Sequence, residues 1–281
     1  MFDKGECLVE VLPFIKRFFG KTIVIKYGGS AMVDERLKNS FSKDVALLKY
    51  VGINPVVVHG GGRDIGHILG RLNIESRFHQ GLRITDESTM EVVVMVLAGK
   101  LNKEIVLNIN KNGGRAVGIS GVDATIIKAS KKLTTDVDLG LVGDVKEVDP
   151  SVLVHLSNDG YIPVVAPIGV DDEGRRYNIN ADSVASAIAV SLKAEKLIFL
   201  TDSDGVLDAE GALISSINID EIDLLIEKGV VTGGMIPKLL SSREAIKSGV
   251  GKVHIINGKR QHSLLEEIFT LSGIGTEIYA G

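Results

Sequence analysis

The segment TIVIKYGGS, residues 22–30, decides how the rest of the chain is interpreted. Its β-branched and aromatic residues predict a buried strand that ends near Lys26. Lysine is almost never fully buried without a partner, so the end of this strand is expected to hold something that needs its charge. Two glycines follow directly and predict a tight turn at that end.

A second glycine-rich turn repeats the pattern. Gly60, Gly61 and Gly62 follow the strand-forming run VVVH, residues 56–59, and lead into a helix predicted from Asp64. The carboxyl ends of parallel strands are where ligands bind, and a glycine-rich turn at a helix N-terminus exposes backbone N–H groups to an anion. Two such turns predict one large anionic site. A glycine pair after a strand is by itself more often only a tight turn, and the neighbouring Lys26 weighs against that alternative.

Strands and helices are predicted to alternate along the chain. The predicted strands are residues 22–27, 55–59, 115–119, 162–166, 196–200 and 252–256. The predicted helices are residues 35–50, 64–72, 87–109, 183–192, 219–227 and 237–248. Two polar, glycine-containing stretches, 78–85 and 124–148, predict hairpins beside the main sheet. This order favours an α/β protein, a three-layer αβα sandwich with a mostly parallel central sheet.

Composition excludes several classes of protein. The 281 residues are 44% apolar and 24% charged, which is typical of a globular protein with one large core or two lobes. A net charge of -4 argues against sequence-independent binding to nucleic acid, which needs a basic face. The single cysteine, Cys7, excludes an intrachain disulfide framework, fits a reducing cytoplasm and is interpreted as a packing residue. No stretch reaches the about 18 apolar residues of a membrane span.

The first 20 residues are interpreted as a helix and not as a targeting signal, because Glu10 and Pro13 interrupt their apolar run. Apolar residues from Leu8 to Phe19 recur at helical spacing, and Pro13 predicts a kink. Their face is expected to pack either on its own lobe or on another subunit. The turn at 171–174 suggests a boundary between an N-terminal lobe (21–174) and a C-terminal lobe (175–281) that follow the helix of residues 1–20, with the sheet continuing across this boundary.

The familiar nucleotide-binding motifs do not occur in the sequence. There is no GxxxxGK[ST], and HGGGRDIG, residues 59–66, has the wrong spacing for GxGxxG. The HRD and DFG triplets of protein kinases do not occur either. A nucleotide, if one binds, must be held in another way.

Three later segments complete the expected site. FLTDSDGVLD, residues 199–208, ends a strand in a polar loop, and VTGGMIPKLLSS, residues 231–242, places a glycine loop before a helix. Lys238 lies near the positive end of that helix dipole, where lysine is slightly unfavourable, so an anionic partner is expected. Between these segments, Asp182 stands at the start of another helix. It can be a plain N-cap, worth about 1 kcal/mol, or a residue of the site.

Seven segments together resemble the N-acetylglutamate kinases of the amino acid kinase family, from about residue 21 to the C-terminus. They are KYGGSAM (26–32), VVVHGGGRDI (56–65), GLRITD (81–86), YNINADSVAS (177–186), LTDSDGV (200–206), GGMIPKL (233–239) and the segment from residue 252 to GIGTEI (273–278). The glycine turns and the Thr-Asp loop are shared by the whole family. The Gly-Leu-Arg hairpin and the Asn-Ile-Asn-Ala-Asp segment are much narrower signals.

The resemblance implies phosphorylation of the side-chain carboxylate of N-acetyl-L-glutamate by MgATP, the second step of arginine biosynthesis, through direct in-line transfer. Lys26 and Lys238 would hold the transferring phosphoryl group from opposite sides, and Asp182 would orient both. The attacking carboxylate is already ionised, so no catalytic base is required. The implied substrate-binding residues are Gly61, Gly62, Arg83, Asn178 and Asn180. The implied phosphate-binding residues are Gly28, Gly29 and Gly60.

The resemblance also implies where ATP binds and how the enzyme is regulated. ATP is expected near Thr201, Asp202, Gly205, Gly234 and Met235, with Mg²⁺ arriving on the nucleotide and no metal ligand from the protein; Thr201 and Asp202 could equally be ordinary turn residues. Arginine-inhibited members are hexamers, trimers of dimers linked by a kinked N-terminal helix. The residues expected around L-arginine are Lys196, His254, Glu267 and Gly275. In the alternative without a functional role, Glu267 is a solvated helix residue and His254 is an ordinary strand histidine. A PII-type signalling protein is a further candidate partner.

Two alternatives stay open at this point. Another carboxylate kinase of the same family would share the phosphoryl-transfer residues but differ around Arg83. A non-catalytic regulatory protein could bind nucleotide and arginine without turnover, although such a protein would not need Lys26, Asp182 and Lys238 together.

Overall fold

The computed structural model describes residues 4–281. Its strands are β1 (Thr22–Tyr27), β2 (Asn54–His59), β3 (Phe78–His79), β4 (Leu82–Arg83), β5 (Ala116–Ser120), β6 (Ile127–Lys131), β7 (Val142–Val148), β8 (Ile162–Ala166), β9 (Ile168–Val170), β10 (Arg176–Ile179), β11 (Lys196–Thr201), β12 (Val206–Leu207), β13 (Leu213–Ile214), β14 (Ser216–Asn218), β15 (Lys252–Asn257) and β16 (Thr276–Tyr279). Its α-helices are α1 (Lys4–Phe18), α2 (Glu35–Tyr50), α3 (Gly62–Arg71), α4 (Glu87–Val94), α5 (Asn102–Lys111), α6 (Ser151–Asn158), α7 (Ala181–Ser191), α8 (Ile222–Glu227), α9 (Met235–Lys247) and α10 (Ser263–Phe269). A π-helical segment, Met95–Leu101, joins α4 to α5. No helix within residues 4–281 is long and apolar enough to cross a membrane.

One eight-stranded sheet passes through the described chain in the order β14-β16-β15-β11-β1-β2-β8-β5. The strands from β15 to β5 are parallel to one another, and β16 runs antiparallel to β15. β1 lies between β2, from the earlier half of the chain, and β11, from the later half. The sheet therefore continues across the predicted lobe boundary, as expected.

Helices cover both faces of this sheet because successive strand side chains point to opposite sides. On β1, Val24 packs in the cluster that contains buried residues of α7 and α9. Ile23 and Ile25 pack in the cluster that contains buried residues of α2, α5 and α10. All three side chains are fully buried, and burying such a side chain stabilises the fold by roughly 1.5–3 kcal/mol. The predicted three-layer sandwich is confirmed.

Most predicted elements lie where the sequence placed them. The six predicted strands are confirmed to within one residue at each end. The predicted helix 87–109 is a continuous helical path that includes the π-helical segment and extends to Lys111. α6 is not among the predicted helices, because eight residues are too few to show a clear helical period.

A small closed barrel of β6, β7, β9 and β10 lies beside the main sheet. Both predicted hairpins are confirmed, as the pairs β3–β4 and β6–β7. The barrel was not predicted, because β9 and β10 are too short to show a clear alternation. The turn at 171–174 joins these two antiparallel strands, and Asp171 N donates to Arg175 O at 3.0 Å. A boundary at residue 174 would divide two paired strands, so the division into lobes stays a prediction.

The N-terminal helix α1 contains Pro13 within its length. Its last residue, Phe18, is 2% exposed and belongs to the core, whereas Val9 and the following Phe19 are each 68% exposed. The carboxyl end of α1 therefore packs on its own chain while other apolar residues face outward. The predicted kink stays a prediction, and the interpretation of Cys7 as a packing residue lies outside the side chains that the structure describes.

Candidate active site

A carboxylate between two lysines lies at the carboxyl end of β1. Lys26 Nζ is 3.0 Å from Asp182 Oδ1, and Lys238 Nζ donates a hydrogen bond to Asp182 Oδ2. The contact with Oδ1 is an ion pair without hydrogen-bond geometry, so this oxygen accepts no hydrogen bond from the described residues. Two ammonium groups and one carboxylate carry a net positive charge. The cluster is therefore suited to an anionic ligand.

Local structure at the start of α7 explains why Asp182 can face the lysines. Asn180 is the N-cap, and its Oδ1 accepts hydrogen bonds from Asp182 N at 2.8 Å and from Ser183 N at 3.3 Å. The alternative that made Asp182 a plain N-cap is therefore wrong, because the neighbouring asparagine already satisfies this helix end. Asp182 lies in the first turn of α7, and Lys238 lies in the first turn of α9.

The charges around Asp182 determine its protonation. Burial by itself would raise the pKa of Asp182, but the positive charges of Lys26 and Lys238 outweigh burial and lower this pKa below its ordinary value. The ammonium group of Lys238 also lies 5.6 Å from the ring centroid of Phe199, which is fully buried on β11. Asp182 is ionised at neutral pH and can orient both ammonium groups.

The two glycine turns lie side by side next to this cluster. Gly60 N donates to Tyr27 O at 2.8 Å, which joins the end of β2 to the end of β1. A Cβ atom on Gly28 would lie 2.7 Å from Lys26 Nζ, so only glycine lets the ammonium group lie against this turn. α3 begins at Gly62, and the first N–H groups of a helix have no acceptor within the helix. N–H groups at such a helix start can bind an anion, so this turn is a candidate for part of the anionic site.

A cavity of about 190 Å³ lies against the second glycine turn. Arg83 lines it from β4 and is 8% exposed; its guanidinium donates to Gly62 O at 2.8 Å and to Ser76 Oγ. The guanidinium carbon lies 4.6 Å from the centroid of the Phe78 ring, and burial lowers the pKa of Arg83. Asn178 also lines the cavity and donates to Thr85 Oγ1 at 3.2 Å. The structure thus brings together all the predicted substrate-binding residues, which are Gly61, Gly62, Arg83, Asn178 and Asn180.

A larger cavity of about 410 Å³ continues from the first one. The two share Gly81, Leu82, Val142 and Asn180 in their walls. Asp182, Lys238 and Gly234 line only the larger cavity. Asp182 and Lys238 therefore border the wider pocket at the start of α9, and this pocket shares a wall with the small pocket that holds the buried guanidinium.

The Thr-Asp loop after β11 contacts the first glycine turn. Asp202 accepts hydrogen bonds from Ser30 N at 2.9 Å and from Ser30 Oγ at 2.5 Å, and these bonds lower the pKa of Asp202. Gly29 has φ +69°, and a Cβ atom there would lie 2.8 Å from Asp202 Oδ1. Thr201 Oγ1 donates to Ser203 O at 2.9 Å within its own turn. Asp202 thus links the loop after β11 to the turn after β1, at the carboxyl ends of these two strands.

The other residues predicted to contact ATP lie in two places. A Cβ atom on Gly205 would lie 2.5 Å from Thr276 Oγ1, so this glycine allows close packing between the loop and β16. Gly234 and Met235 lie at the start of α9, beside the larger cavity. The assignment of these residues to ATP stays a prediction.

A second polar cluster lies at the amino ends of β11 and β15. Lys196 Nζ is 2.9 Å from His254 Nε2, and His254 Nδ1 is 2.6 Å from Glu267 Oε1. Glu267 Oε2 accepts hydrogen bonds from Ile274 N at 2.7 Å and Gly275 N at 3.2 Å. Glu267 is 6% exposed, so the alternative that made it a solvated helix residue is wrong.

The four residues predicted around arginine line one cavity of about 310 Å³. Phe14, Arg17 and Phe18 of α1 form another part of its wall. Burial lowers the pKa of Lys196 to about 8, and burial also lowers the pKa of His254. Burial would raise the pKa of Glu267, but its hydrogen bond to His254 and the other nearby donors lower it. The cavity therefore holds a charged carboxylate beside a neutral imidazole.

Sequence reasoning missed two residues next to the second glycine turn. His59 is fully buried at the end of β2 and contacts Gly60 O, and Asn102 is fully buried at the start of α5 and contacts His59. The only signal for them in the sequence was His59 itself, a polar residue at the end of the apolar run in VVVHGGG. Among the residues from 4 to 281, no group of three or more His, Cys, Asp or Glu side chains could hold a metal ion.

Comparisons with known proteins give a consistent family. Residues 21–257 match the amino acid kinase family. Acetylglutamate kinases from Carboxydothermus hydrogenoformans and Syntrophus aciditrophicus are 56% and 52% identical to this chain, each over 98% of it and 97% of the relative.

Solved structures of one other enzyme superpose on the whole chain. N-acetylglutamate synthase from Neisseria gonorrhoeae, complexed with coenzyme A and N-acetyl-glutamate, has a TM-score of 0.90 at 27% identity. A structure of the same synthase with coenzyme A and L-arginine has a TM-score of 0.85 at 26% identity. The chain covers 64% and 66% of the two synthase chains, so it spans about two thirds of their length.

Proposed function

The chain belongs to the amino acid kinase family and, within it, to the acetylglutamate kinases, and we propose that it transfers the γ-phosphoryl group of ATP to the side-chain carboxylate of N-acetyl-L-glutamate. The product is an acyl phosphate, N-acetyl-L-glutamyl 5-phosphate, in the second step of arginine biosynthesis. The observation that carries this proposal is the Lys26–Asp182–Lys238 cluster, which lies beside a pocket that contains a buried arginine.

The cluster supplies what this reaction requires. A carboxylate that attacks ATP brings two anions together, so catalysis depends on positive charge and in-line positioning more than on covalent chemistry. Lys26 and Lys238 contact different carboxylate oxygens of Asp182. We assign them to the transferring phosphoryl group, with Asp182 holding their ammonium groups in place. The side-chain carboxylate of the acceptor is already ionised at neutral pH, so the reaction needs no general base.

The smaller cavity fits the acceptor. Arg83 offers a planar guanidinium that can form a bidentate pair with the α-carboxylate of the substrate. Asn178 and Asn180 add neutral polar groups to the cavity lining, and Leu97 and Ile179 provide apolar surface for the acetyl group and the methylene chain. The backbone N–H groups of Gly29, Gly61 and Gly62 are assigned to phosphoryl oxygens.

The larger cavity is assigned to ATP, which approaches from the start of α9. Thr201, Asp202, Gly205, Gly234 and Met235 are proposed to lie near the nucleotide. The nearby carboxylates of Asp182 and Asp202 are already paired with Lys26, Lys238 and Ser30. Mg²⁺ is therefore assigned to the phosphate oxygens of ATP, where it would neutralise part of their charge.

A hydroxylamine trap tests the proposal directly. The purified chain is incubated with MgATP, hydroxylamine and either N-acetyl-L-glutamate, L-glutamate or L-aspartate, and coloured hydroxamate reports the acyl phosphate. Hydroxamate is expected only with the acetylated substrate. A signal only with another acceptor would reassign the pocket around Arg83, and no signal with any acceptor would overturn the kinase function in favour of a non-catalytic regulatory protein.

We further propose that L-arginine inhibits the enzyme by binding in the cavity at the amino ends of β11 and β15. Glu267 offers a charged carboxylate to the guanidinium, while Lys196, Lys252 and Arg17 offer positive charge to the effector's carboxylate. The likeness to a synthase structure that contains L-arginine supports this choice of ligand. α1 forms part of the wall, so its position can respond to occupancy.

The same helix is proposed to join dimers into a hexamer in the cytoplasm. Val9 and Leu12 of α1 are 68% and 46% exposed, and the neighbouring Phe19 is 68% exposed. Deletion of residues 1–20 should abolish hexamers and weaken arginine inhibition, as measured by light scattering and by inhibition curves. The double variant Val9→Ser/Leu12→Ser is the sharper test, because it keeps the cavity wall and should still lose the hexamer. A hexamer that is unchanged in both the deletion and the double variant would contradict the proposed role of α1.

A PII-type signalling protein is the remaining candidate partner, and a pull-down with such a protein tests it.

A further inference from the structure

We propose that His59 is a positioning residue that fixes the direction of the Gly60–Gly61 peptide, and thereby the Gly61 N–H that the transferring phosphoryl group requires. This inference rests on the proposed function, because it assigns a task to a side chain that lies behind the catalytic turn. His59 does not line the cavity of about 190 Å³ that Gly60 and Gly61 line. It acts through the backbone.

The contacts of His59 determine its tautomer. Nδ1 lies 2.9 Å from Gly60 O, and a carbonyl oxygen can only accept, so Nδ1 carries the proton. Nε2 lies 3.3 Å from Asn102 Nδ2, and an amide NH₂ can only donate, so Nε2 is the acceptor. The imidazole is fully buried, and burial is the main cause that lowers the pKa of His59 to about 4. The ring is neutral and both of its nitrogens are used.

The orientation of Asn102 is itself fixed by groups of known polarity. Its Nδ2 lies 2.9 Å from Val164 O and 3.2 Å from Ile119 O, which can only accept. Its Oδ1 accepts from Lys103 Nζ at 3.0 Å. Exchange of the two amide atoms would place carbonyl against carbonyl and leave the lysine without this acceptor. Asn102 therefore presents a donor to His59.

Peptide planarity transmits this arrangement to the active site. The Gly60 carbonyl and the Gly61 N–H belong to one trans peptide and point in opposite directions. When His59 holds the carbonyl toward the protein interior, the N–H points away from the interior. Leu97 and Leu101 of the π-helical segment pack against the same glycine, since a Cβ atom on Gly61 would lie 2.5 Å from each of them. π-helical turns often occur at functional sites, and this one also ends directly before Asn102.

Two substitutions separate positioning from packing. His59→Asn places an amide nitrogen close to the former Nδ1, so it keeps the donor to Gly60 O and loses the contact with Asn102. His59→Gln places its amide near the former Nε2 and leaves Gly60 O without this donor. Ile109→Ala is the matched control, because Ile109 is fully buried on the same helix as Asn102 and packs against Gly114, away from the turn.

The expected result is a difference in kcat between the two histidine variants. His59→Gln should lower kcat by about 10- to 100-fold and change KM for N-acetyl-L-glutamate by less than about threefold, because a small misplacement of a catalytic donor reduces rate more than binding. His59→Asn and Ile109→Ala should keep kcat within about threefold. Equal losses in His59→Asn and His59→Gln, or an unchanged kcat in His59→Gln, would overturn the proposal.

A second measurement reads the tautomer directly and does not depend on activity. The ¹⁵N resonances of the six histidines in the labelled full-length protein report their tautomers, and the spectrum of His59→Asn identifies the resonance that is missing. A neutral ring with the proton on Nδ1 is expected between pH 6 and 8. A proton on Nε2, or on both nitrogens, would overturn the inference while leaving the proposed kinase function untouched. Absence of turnover with this tautomer present would instead count against the proposed function.

Discussion

The two ends of the same sheet hold clusters of similar residues in opposite roles. At the carboxyl end of β1, Lys26 faces Asp182, and at the amino ends of the neighbouring strands, Lys196 and His254 face Glu267. β1 and β11 are parallel neighbours in which Ile23 pairs with Lys196 and Lys26 pairs with Phe199, so the two lysines lie three residues apart along the strand direction. Residue type alone therefore does not distinguish the two sites.

The difference lies in what holds each carboxylate. Asp182 is held by two ammonium groups, so its negative charge is outweighed and the site attracts an anion. Glu267 is held by an imidazole and by the N–H groups of Ile274 and Gly275. The groups in direct contact with Glu267 are neutral and do not cancel its charge, while the ammonium group of Lys196 contacts His254, so Glu267 remains available to a cation. The partner of a buried carboxylate thus determines the sign of the ligand that the carboxylate can bind.

The same substitution at the two ends should have very different effects on rate. Lys26→Met and Lys238→Met are each expected to lower kcat by roughly 10²–10³ or more, because a lost donor to developing charge in an enclosed site costs about that factor. Lys196→Met should leave kcat within about threefold in the absence of arginine. Initial rates with saturating ATP and N-acetyl-L-glutamate measure both. A comparable kcat loss in Lys196→Met would contradict the separation of the two sites.

In the candidate active site, Arg83 should affect the binding of N-acetyl-L-glutamate more than it affects kcat. Arg83→Lys keeps the charge but loses the planar, bidentate geometry, so KM for N-acetyl-L-glutamate is expected to rise about 10- to 100-fold with a smaller change in kcat. Steady-state kinetics over a range of acceptor concentrations provides the check. Arg115→Lys is a matched control, because Arg115 lies over the Tyr161 ring at 4.3 Å and lines neither cavity of the active site. A fall in kcat with unchanged KM would argue that Arg83 acts on the transition state.

At the other end, Glu267→Gln should weaken inhibition without affecting catalysis. The loss of one charge from the proposed guanidinium partner is expected to raise the arginine concentration for half inhibition by about 10-fold or more, since a hydrogen bond to a charged group contributes about 1.5–3 kcal/mol. Inhibition curves at fixed substrate concentrations measure the shift. Glu266→Gln is the control, because Glu266 pairs with Arg260 at the surface. Equal inhibition of the two variants would move the effector elsewhere.

The smallest expected effect is on stability in mild acid. The pKa of His59 is about 4 in the folded protein and about 6.5 when unfolded, so the unfolded chain binds more protons between these values. The contribution of His59 to the free energy of unfolding is complete above pH 6.5 and is lost as the pH falls toward 4. Between pH 7 and 5.5 the loss should be about 1 kcal/mol, and urea unfolding should show it in wild type and not in His59→Gln. An identical pH dependence in both proteins would show that His59 is not buried in neutral form.

Much of the fold could be predicted because its signals are local. The runs at 22–27 and 196–200 are apolar, β-branched and followed by turn residues, and they form strands where the sequence placed them. The barrel could not be predicted in the same way. β9 and β10 contain three and four residues, and their pairing depends on contacts with β6 and β7 that no local period records.

For the candidate site, the sequence determined which residues are present and which strand ends they follow. It predicted a charged group at Lys26, glycine turns after β1 and β2, and an anionic partner for Lys238. It did not decide whether Asp182 caps a helix or faces the lysines. Asp182 meets Lys238 across 56 residues of sequence, and His59 meets Asn102 across 43. Such approaches result from the packing of whole helices on the sheet, so only the tertiary structure could decide which carboxylate lies between two cations and which histidine stays neutral behind the glycine turn.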